Sequence, residues 1–541
     1  MTRRKFVNIC VSLLYCATLS AKDTTYVSGG IQHDGLLDWK PVRYHSNSYV
    51  DLSVFYVNDS NAAHFHSLRA TTRGELTKWP LYGYESDFGG YGMSHLSVAA
   101  TFDWGEITVG DVYGQFGNGL VLNLREDRAM GIDGALRGGK IAVNPYKGLY
   151  MTVIGGKQRR YWNCYKDGAF GWNYKQDAAI GGDVEIHIDQ WSKRMQEKEM
   201  QLLFGGSYVS KYQAFDTVMT LQPDGIYMYN LPRWVGAGAV RAAWSMRGWQ
   251  VSAEYAHKAN DPCADNGYNY RDGHAMLVSV SYSRKGLSVL AQAKRSNNMA
   301  FRSDRQRIGT CGRYNDMPPF THQHTYALPA LRPYVTQYAE GEWAFQGEVM
   351  YSTPRRTGFG GKYGTTLRVG ASHVRGKSKG EGEFYTDVHL ELNKRISKNW
   401  WLNAMVMYQG YNQLVIEGHG GMIRSGIAVV DARVHIHDNV GMRGELQYLY
   451  SPHADGQWCF ALYELSLFKH WTLSGEWMYN IGFAPDANNE HFYTVSATYS
   501  YKAHHVMAGY TKTQERYQCS GGVCRWVPRQ EGVCVSYSYT W

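Results

Sequence analysis

The chain has 541 residues, of which 14% are aromatic, with 42 tyrosines and 17 tryptophans against 18 phenylalanines. No run of about 18 apolar residues is present, which excludes a membrane protein built of apolar helices. The formal charge of +9 is spread along the chain without a nucleic-acid-binding motif, which excludes a nucleic-acid partner.

The N-terminal residues predict a secretory signal peptide. Arg3, Arg4 and Lys5 precede the short apolar stretch FVNICVSLLYCATL, and small residues near Ser20 and Ala21 offer a cleavage site. We therefore expect residues 1–21 to be removed and residues 22–541 to be exported.

A block of closely spaced charges comes early in the exported chain. The stretch REDRAMGIDGALRGG interleaves charged side chains with glycines: Arg125, Glu126, Asp127, Arg128, Asp133 and Arg137. Strands with apolar outer faces accommodate such charges only toward a lumen or a turn. Two interpretations stay open: a salt-bridged network inside a lumen, or a constriction whose charged walls act on passing solutes.

Alternation of apolar and polar residues recurs along the chain. GDVEIHID (182–189), EFYTDVHLELN (383–393), AVVDARVHIHD (428–438) and HFYTVSATYSYK (491–502) all show a period of two. This period is typical of strands with one apolar and one wet face. The wet faces are rich in charge, and aromatic residues gather at strand ends, as at Trp400 and Trp401. Both features favour a membrane barrel over a soluble sandwich.

The connections between these strands alternate in length. Short ones fall at 246–248, 284–286, 469–470 and 502–504, and longer polar ones at 410–422, 451–457, 484–490 and 515–532. We predict an all-β fold, a single large transmembrane antiparallel up-and-down β-barrel of roughly 20 strands, in the range of about 16–24. The alternation fails between Ser296 and Glu383, so the strand number is not fixed.

Residues 296–334 are predicted to form a long loop. The segment carries Arg302, Asp304 and Arg305, which are further candidates for a lumen or constriction, and it ends in PPFTHQHTY. It could fold into the pore as a plug or lie over a mouth of the barrel, and both placements stay open.

Three His-x-His pairs could each offer two metal ligands: His64/His66, His322/His324 and His435/His437. Residues i and i+2 of a strand share a face, as two ligands of one ion must. A hydrated lumen explains such histidines equally well and needs no third ligand. We therefore predict neither a metal site nor a cofactor.

The last residues show the strictest alternation. In GVCVSYSYTW, Val535, Tyr537, Tyr539 and Trp541 point one way and hydroxyl residues point the other. A barrel closes by pairing its first and last strands, so we expect this stretch to be the C-terminal assembly strand. Before it, Cys519 and Cys524 flank SGGV, a spacing that could place a disulfide across the final external hairpin. Zinc is the rival for this pair, but a second ligand pair is absent.

Seven blocks of the chain carry a resemblance to a known family. They are GDVYGQFGNGLVLNLREDRAMGIDGALRGG (110–139), GGKQRRYW (155–162), NNMAFRSDRQR (297–307), QHTYAL (323–328), AFQGE (344–348), GGKYGT (360–365) and CSGGVCRWVP (519–528). They resemble a family of uncharacterised outer-membrane β-barrel proteins of Bacteroidota with a domain of unknown function. The resemblance implies an outer-membrane barrel and no particular activity.

These observations lead to ranked hypotheses about function. We expect an integral protein of the cell outer membrane, in contact with outer-membrane lipid, inserted by the barrel-assembly machinery and able to take an outer-membrane protein as partner. Charged inner faces favour a porin-like channel for small polar solutes. The alternative is a non-conducting scaffold or binding module for assembly or secretion machinery. We expect no enzyme, since the G-x-S-x-G elbow is absent; an outer-membrane lipid hydrolase, which needs no local motif, is a distant third.

Overall fold

The structure is a computed structural model that describes residues 24–39, 42–58, 64–159, 177–214, 217–310, 312–339, 341–377, 382–453, 456–482, 490–520 and 523–541. The predicted signal peptide, residues 1–21, lies outside the described residues, as do Cys164 and Cys311.

Within the described residues, 24 antiparallel strands form one closed sheet. Their bounds are β1 Thr24–Trp39, β2 Val42–Val57, β3 Phe65–Thr77, β4 Gly90–Phe102, β5 Gly105–Val112, β6 Leu136–Tyr146, β7 Leu149–Gln158, β8 Ala178–His187, β9 Gln201–Tyr212, β10 Trp234–Met246, β11 Trp249–Lys258, β12 Gly273–Arg284, β13 Leu287–Asn297, β14 Glu342–Ser352, β15 Thr365–Gly376, β16 Glu383–Arg395, β17 Trp400–Asn412, β18 Met422–His437, β19 Val440–Tyr450, β20 Gln457–Leu467, β21 Trp471–Gly482, β22 His491–Tyr501, β23 His504–Thr513 and β24 Gln530–Thr540. Each strand pairs with its neighbours in this order, and β1 pairs with β24 from Gly30 opposite Thr540 to Asp38 opposite Gly532. The predicted all-β antiparallel barrel is confirmed, with a strand number at the top of the predicted range.

Small elements occupy the connections. Four two-stranded hairpins are Gly114–Gln115 with Asn123–Leu124, Glu126–Asp127 with Ile132–Asp133, Met219–Gln222 with Gly225–Met228, and Arg516–Ser520 with Val523–Val527. Two short α-helices span Lys193–Glu197 and Gln413–Glu417, and 3-10 turns span Ser86–Phe88, Ile188–Gln190 and Ala264–Asn266. Among the residues described, no helix has the length and apolar character needed to span a bilayer.

The connections differ between the two ends of the barrel. We call the end that holds Thr24 and Thr540 the turn end, because six of its connections are two residues long: 103–104, 147–148, 247–248, 285–286, 438–439 and 502–503. At one of them, Arg247 and Gly248 both have positive φ, the geometry of a tight hairpin turn. The opposite, loop end carries the longest connections, including 113–135, 213–233 and 298–341.

The outer face carries an apolar band between aromatic belts. Exposed aliphatic side chains lie along the middle of the strands: Val109, Val153, Val240, Val369, Leu390, Val406, Val430, Leu446 and Val495. Exposed rings lie at the turn end (Trp104, Trp191, Trp249, Trp400, Trp471 and Trp541) and at the loop end (Trp39, Trp79, Tyr91 and Trp234). Transmembrane barrels meet lipid with this arrangement.

The loop-end half of the interior is packed with the protein's own connections. Residues 298–341, which we call the plug and which are described except at 311 and 340, fold inward together with residues 113–135, the charged loop. Phe116 and Leu120 of the charged loop pack with Phe301 and Met317 of the plug against inward-facing alanines of the wall. The expectation of a wet inner face is therefore wrong for part of this half of the barrel. There the inner face carries apolar patches, against which the plug packs.

Candidate functional site

The plug is anchored to one side of the wall by three lysines. Lys211, Lys258 and Lys294 are buried on the inner faces of β9, β11 and β13. Their ammonium groups donate to main-chain carbonyls of the plug: Lys211 to Arg302 at 2.7 Å, Lys258 to Ala300 at 2.7 Å and Lys294 to Pro318 at 2.6 Å. Lys211 and Lys294 are also paired with the buried carboxylates of Asp261 and Glu342, which offsets the cost of burying their charges. The three lysines thus hold residues 300–318 through the main chain.

The remainder of the plug crosses to the opposite wall. The main-chain nitrogen of Leu328 donates to Oε1 of Gln447 on β19 at 2.8 Å, and Nε2 of Gln409 on β17 donates to the carbonyl of Arg332 at 3.1 Å. Leu328 also packs with Ile427, Val429 and Leu449 of the inner wall. Of the two placements that the sequence left open for this segment, the structure has the one inside the barrel.

Arg302 and Arg305, candidates for a constriction, lie inside the plug itself. Each is 1% exposed. Arg302 pairs with Asp265, and Nε of Arg305 lies 3.3 Å from Oδ1 of Asp261. Burial lowers the pKa of Arg302. The nearby Asp304 accepts the main-chain N–H of Gln306 at 3.1 Å. Asp261 and Asp265 lie in the connection between β11 and β12, so the two arginines tie the plug to that connection.

The charged loop forms an ion-pair network with the wall and the plug. Arg128 donates to Glu126 at 2.8 Å and to Asp51 of β2 at 2.7 Å, while Glu126 receives two bonds from Arg73 of β3. Arg125 reaches Asp316 of the plug at 3.0 Å. The charges of this network are thus balanced within the protein.

The other residues of this group also have partners. Asp127 accepts from the Ser520 hydroxyl at 2.8 Å, and Arg137 donates to Asp111 at 2.9 Å. Asp133 is buried beside Arg159; burial opposes its ionisation, but the guanidinium holds the pKa of this carboxyl below its usual range. The ion pairs of these residues form a network between the charged loop, the wall and the plug.

The hairpin of Arg516–Ser520 and Val523–Val527 folds over the loop end. Cys519 and Cys524 face each other across it and are joined by a disulfide. Arg525 lies over the ring of Tyr84, 4.2 Å from its centroid. The hairpin therefore forms a covalently closed cover next to the charged loop.

The C-terminal strand β24 closes the barrel with its hydroxyl side inward. Ser536 donates to Asp34 of β1 at 2.7 Å. After the strand, Trp541 exchanges two main-chain hydrogen bonds with Gly29, and its ring stacks on Tyr539 at 5.5 Å between centroids. Val535, Tyr537 and Tyr539 alternate with the hydroxyl residues along this strand.

A cavity of about 620 Å³ lies between the plug, the hairpin and the inner wall. Its ionisable lining includes Arg443, Glu445, Glu464 and Glu476 from β19–β21 and Arg516 from the hairpin. Aromatic and apolar groups share the lining, among them Tyr334, Tyr385, Phe460, Met478 and Tyr517. This mixture of paired charges, rings and hydrogen-bonding groups suits a small polar solute. Sequence reasoning missed these wall residues because they come from three separate strands.

His322 and His324 line the same cavity and continue into a cluster with Asp387 and His389 of β16 and Glu348 of β14. Burial, together with the neighbouring His324 and His389, lowers the pKa of His322 to about 4. Of the three His-x-His pairs, this one lies in the interior. His64 and His66 share Asp103 at the exposed turn end, and His435 and His437 are exposed at that end as well.

Comparison with solved structures finds other large barrels. The siderophore receptor PirA from Pseudomonas aeruginosa is similar, with 9% sequence identity and a TM-score of 0.43; the match covers 96% of this chain and 81% of that chain. The P pilus usher PapC translocation pore is 10% identical, with 96% of this chain and 99% of that chain covered and a TM-score of 0.40. The copper transporter OprC is 10% identical, with 96% of this chain and 80% of that chain covered and a TM-score of 0.41. These similarities concern the fold, which resembles that of outer-membrane proteins, and carry no functional argument.

Two sequence comparisons complete the picture. No curated protein matches the chain. A family model described as a family of unknown function, DUF6029, matches residues 5–541. Because the match spans nearly the whole sequence, the chain belongs to this family of unknown function.

Proposed function

We propose that the protein is an integral outer-membrane β-barrel, inserted by the barrel-assembly machinery, that works as a gated, porin-like channel for small polar solutes and is closed here by its own plug. The apolar band and its two aromatic belts support the membrane location. The resemblance of the sequence to Bacteroidota barrels supports an origin in that group. The observation that carries the proposal is the seating of the plug against the inner wall beside a charged cavity.

The two halves of the plug are held differently, and this difference supports gating. Residues 300–318 are fixed by the three buried lysines. Residues 319–334 border the cavity and contact the wall through uncharged hydrogen bonds, such as Leu328 to Gln447 and Gln409 to Arg332, and through histidines that face carboxylates. We call residues 319–334 the gate. Movement of the gate into the cavity would join the space on its two sides without disturbing the lysine anchors.

The cavity supplies the chemistry for solute selection. Arg443 is hydrogen-bonded to Asp431 at 3.1 Å and to Glu464 at 3.2 Å, so its charge is oriented across the cavity wall. Arg516 and the carboxylate of Glu476 add a second pair of opposite charges to the lining. Opposed charges on the walls of a pore favour polar solutes over apolar ones.

Conductance in planar bilayers tests the proposal. The wild-type protein should show rare, brief openings, and a variant with residues 320–333 replaced by a short Gly-Ser linker should show steady conductance. The matched control replaces the exposed hairpin Met219–Met228 at the same end, which should leave the channel closed. Heat-modifiable migration on gels checks that each variant is folded. A folded barrel that lacks the gate and stays silent would contradict gating.

The same exposed hairpin favours a second candidate function, a non-conducting scaffold or binding module. Met219, Leu221, Ile226 and Met228 expose 59–82% of their surface at the loop end. Exposed apolar groups in such a cluster are typical of protein contacts. Co-purification after mild solubilisation would recover a partner with the wild type and lose it when the hairpin is replaced. We propose no catalytic activity, on the ground that recognisable catalytic motifs are absent from the sequence.

A further inference from the structure

Five side chains with metal-ligand chemistry meet where the gate contacts the wall. His322 and His324 come from the gate, Glu348 from β14, and Asp387 and His389 from β16. One donor atom each from His324, Asp387 and His389 lie within 4.8 Å of one another, and the same holds for His322, Glu348 and His389. Zinc binds nitrogen and oxygen donors at about 2.0–2.2 Å, so donors of one ion lie roughly 3–4 Å apart. Small side-chain adjustments therefore suffice to bring either triad onto an ion.

His389 is the member shared by both triads, and it is held as metal-ligating histidines are. Its Nδ1 lies 2.9 Å from Oδ1 of Asp387. His389 is 2% exposed, and its Nε2 is buried without a hydrogen-bond partner among the described residues. Metal-bound histidines commonly give one ring nitrogen to a carboxylate and the other to the ion. A buried polar atom without a partner is costly, and an ion at Nε2 would supply the missing partner.

The wall is shaped around this ring. Gly370 of β15 lies directly opposite His389 of β16. A Cβ at position 370 would stand 2.3 Å from Cε1 and 2.4 Å from Nε2 of His389, closer than any side chain permits. Glycine in the interior of a strand weakens it and often marks a close approach of another group. Here the group that approaches is the imidazole of His389.

Charge and donor type identify the class of ion. Asp387 and Glu348 supply negative charge. Arg368 is a nearby positive group, which forms salt bridges with Glu348 at 3.3 Å and with Glu391 at 3.1 Å. Imidazole nitrogen combined with carboxylate oxygen suits zinc and neighbouring divalent transition metals. Calcium and magnesium prefer sites made of oxygen alone.

We propose that this cluster binds one divalent transition-metal ion, with zinc as the test case, and that the ion joins the gate to the barrel wall. The sequence analysis predicted no metal site because a third ligand was not visible near His322 and His324. The structure supplies it from β14 and β16. The site stands on its own geometry and does not depend on whether the barrel conducts.

Metal binding to the purified, folded full chain in detergent tests the inference. After treatment with a chelator and its removal, titration calorimetry with zinc should show one ion per chain. His389→Gln removes a ligand from both triads, and the double variant His322→Ala/His324→Ala removes one ligand from each; both should weaken zinc binding at least tenfold. Cobalt substituted for zinc should give the visible absorption of nitrogen- and oxygen-ligated cobalt in the wild type and lose it in both variants.

The matched control is the double variant His64→Ala/His66→Ala, which removes the exposed pair beside Asp103 and should leave the affinity of the interior site unchanged. If His389→Gln fails to fold, the double variant His322→Ala/His324→Ala still decides, because both histidines are only partly buried and lie in the gate, outside the strands. A wild-type protein that binds no zinc, or variants that bind it as tightly as the wild type, would overturn the inference. Since binding is measured without conductance, this failure is distinct from failure of the channel proposal.

Discussion

Replacing Leu328 with alanine should unseat the gate while the barrel stays intact. Leu328 is 0% exposed and lies in an apolar cluster with Leu449 and Phe460 of the wall. Truncation of a buried leucine to alanine costs about 2–5 kcal/mol, because transfer energy is lost and a cavity remains. Every 1.4 kcal/mol is a factor of ten in an equilibrium, so the population of the unseated gate should rise by roughly 30-fold to 4,000-fold.

Hydrogen exchange read by mass spectrometry measures this population. Amides within residues 325–333 should exchange at least roughly 30-fold faster in Leu328→Ala, whereas amides of the barrel strands keep their wild-type protection. The matched control is Leu446→Ala. Leu446 is 67% exposed on the outer face of β19, so the same atoms are removed from the outer side of the wall that receives Leu328.

Two results would refute this reasoning. Equal exchange of residues 325–333 in Leu328→Ala and Leu446→Ala would show that the apolar contact does not hold the gate. Faster exchange throughout all strands would show that the gate and the barrel open only together. In the second case residues 319–334 would be part of one cooperative unit, and gating by their separate movement would be wrong.

Three further changes have defined outcomes. Arg159→Ala removes the guanidinium that pairs with the buried carboxylates of Glu75 and Asp133 and should lower the free energy of unfolding by about 3–5 kcal/mol in denaturant titrations. Arg529→Ala, which breaks an exposed pair, should cost less than about 1 kcal/mol. Cys519→Ser should destabilise the hairpin by about 2 kcal/mol and speed hydrogen exchange in residues 514–529, and non-reduced peptides with both thiols free would contradict the disulfide. Deletion of Trp541 should lower the folded fraction in refolding into liposomes, while Trp541→Phe should keep it.

The wall of the barrel was predictable because its signal is local. Alternation within single stretches, such as 182–189 and 491–502, reports which face each side chain takes, and residues 182–187 and 491–501 form strands as predicted. The strand number was harder because it depends on every connection. Residues 353–364 form a 12-residue connection at the turn end, and residues 188–200 form another long one. Each is long for the end of the barrel at which short connections were expected.

The packing of the interior could not be predicted from alternation. A strand with an apolar outer face that also packs against the plug is apolar on both faces. In β18, Ile427 and Val429 face the plug, whereas Val430 faces outward. Such a stretch loses the contrast of period two, so the sequence records that it is buried but not what covers each face.

The cavity and the histidine cluster follow from this property of the interior. They exist only because the connection between β13 and β14 returns into the lumen and brings His322 beside His389, a residue 67 positions away. A long polar connection predicts a loop, but its placement depends on whether the wall offers apolar patches and buried partners. Lys211, Lys258 and Lys294 are such partners. In the sequence they cannot be distinguished from charged residues that simply face water in a lumen. Here they are the anchors that turn a surface loop into an internal plug, which makes the candidate site a product of the tertiary fold.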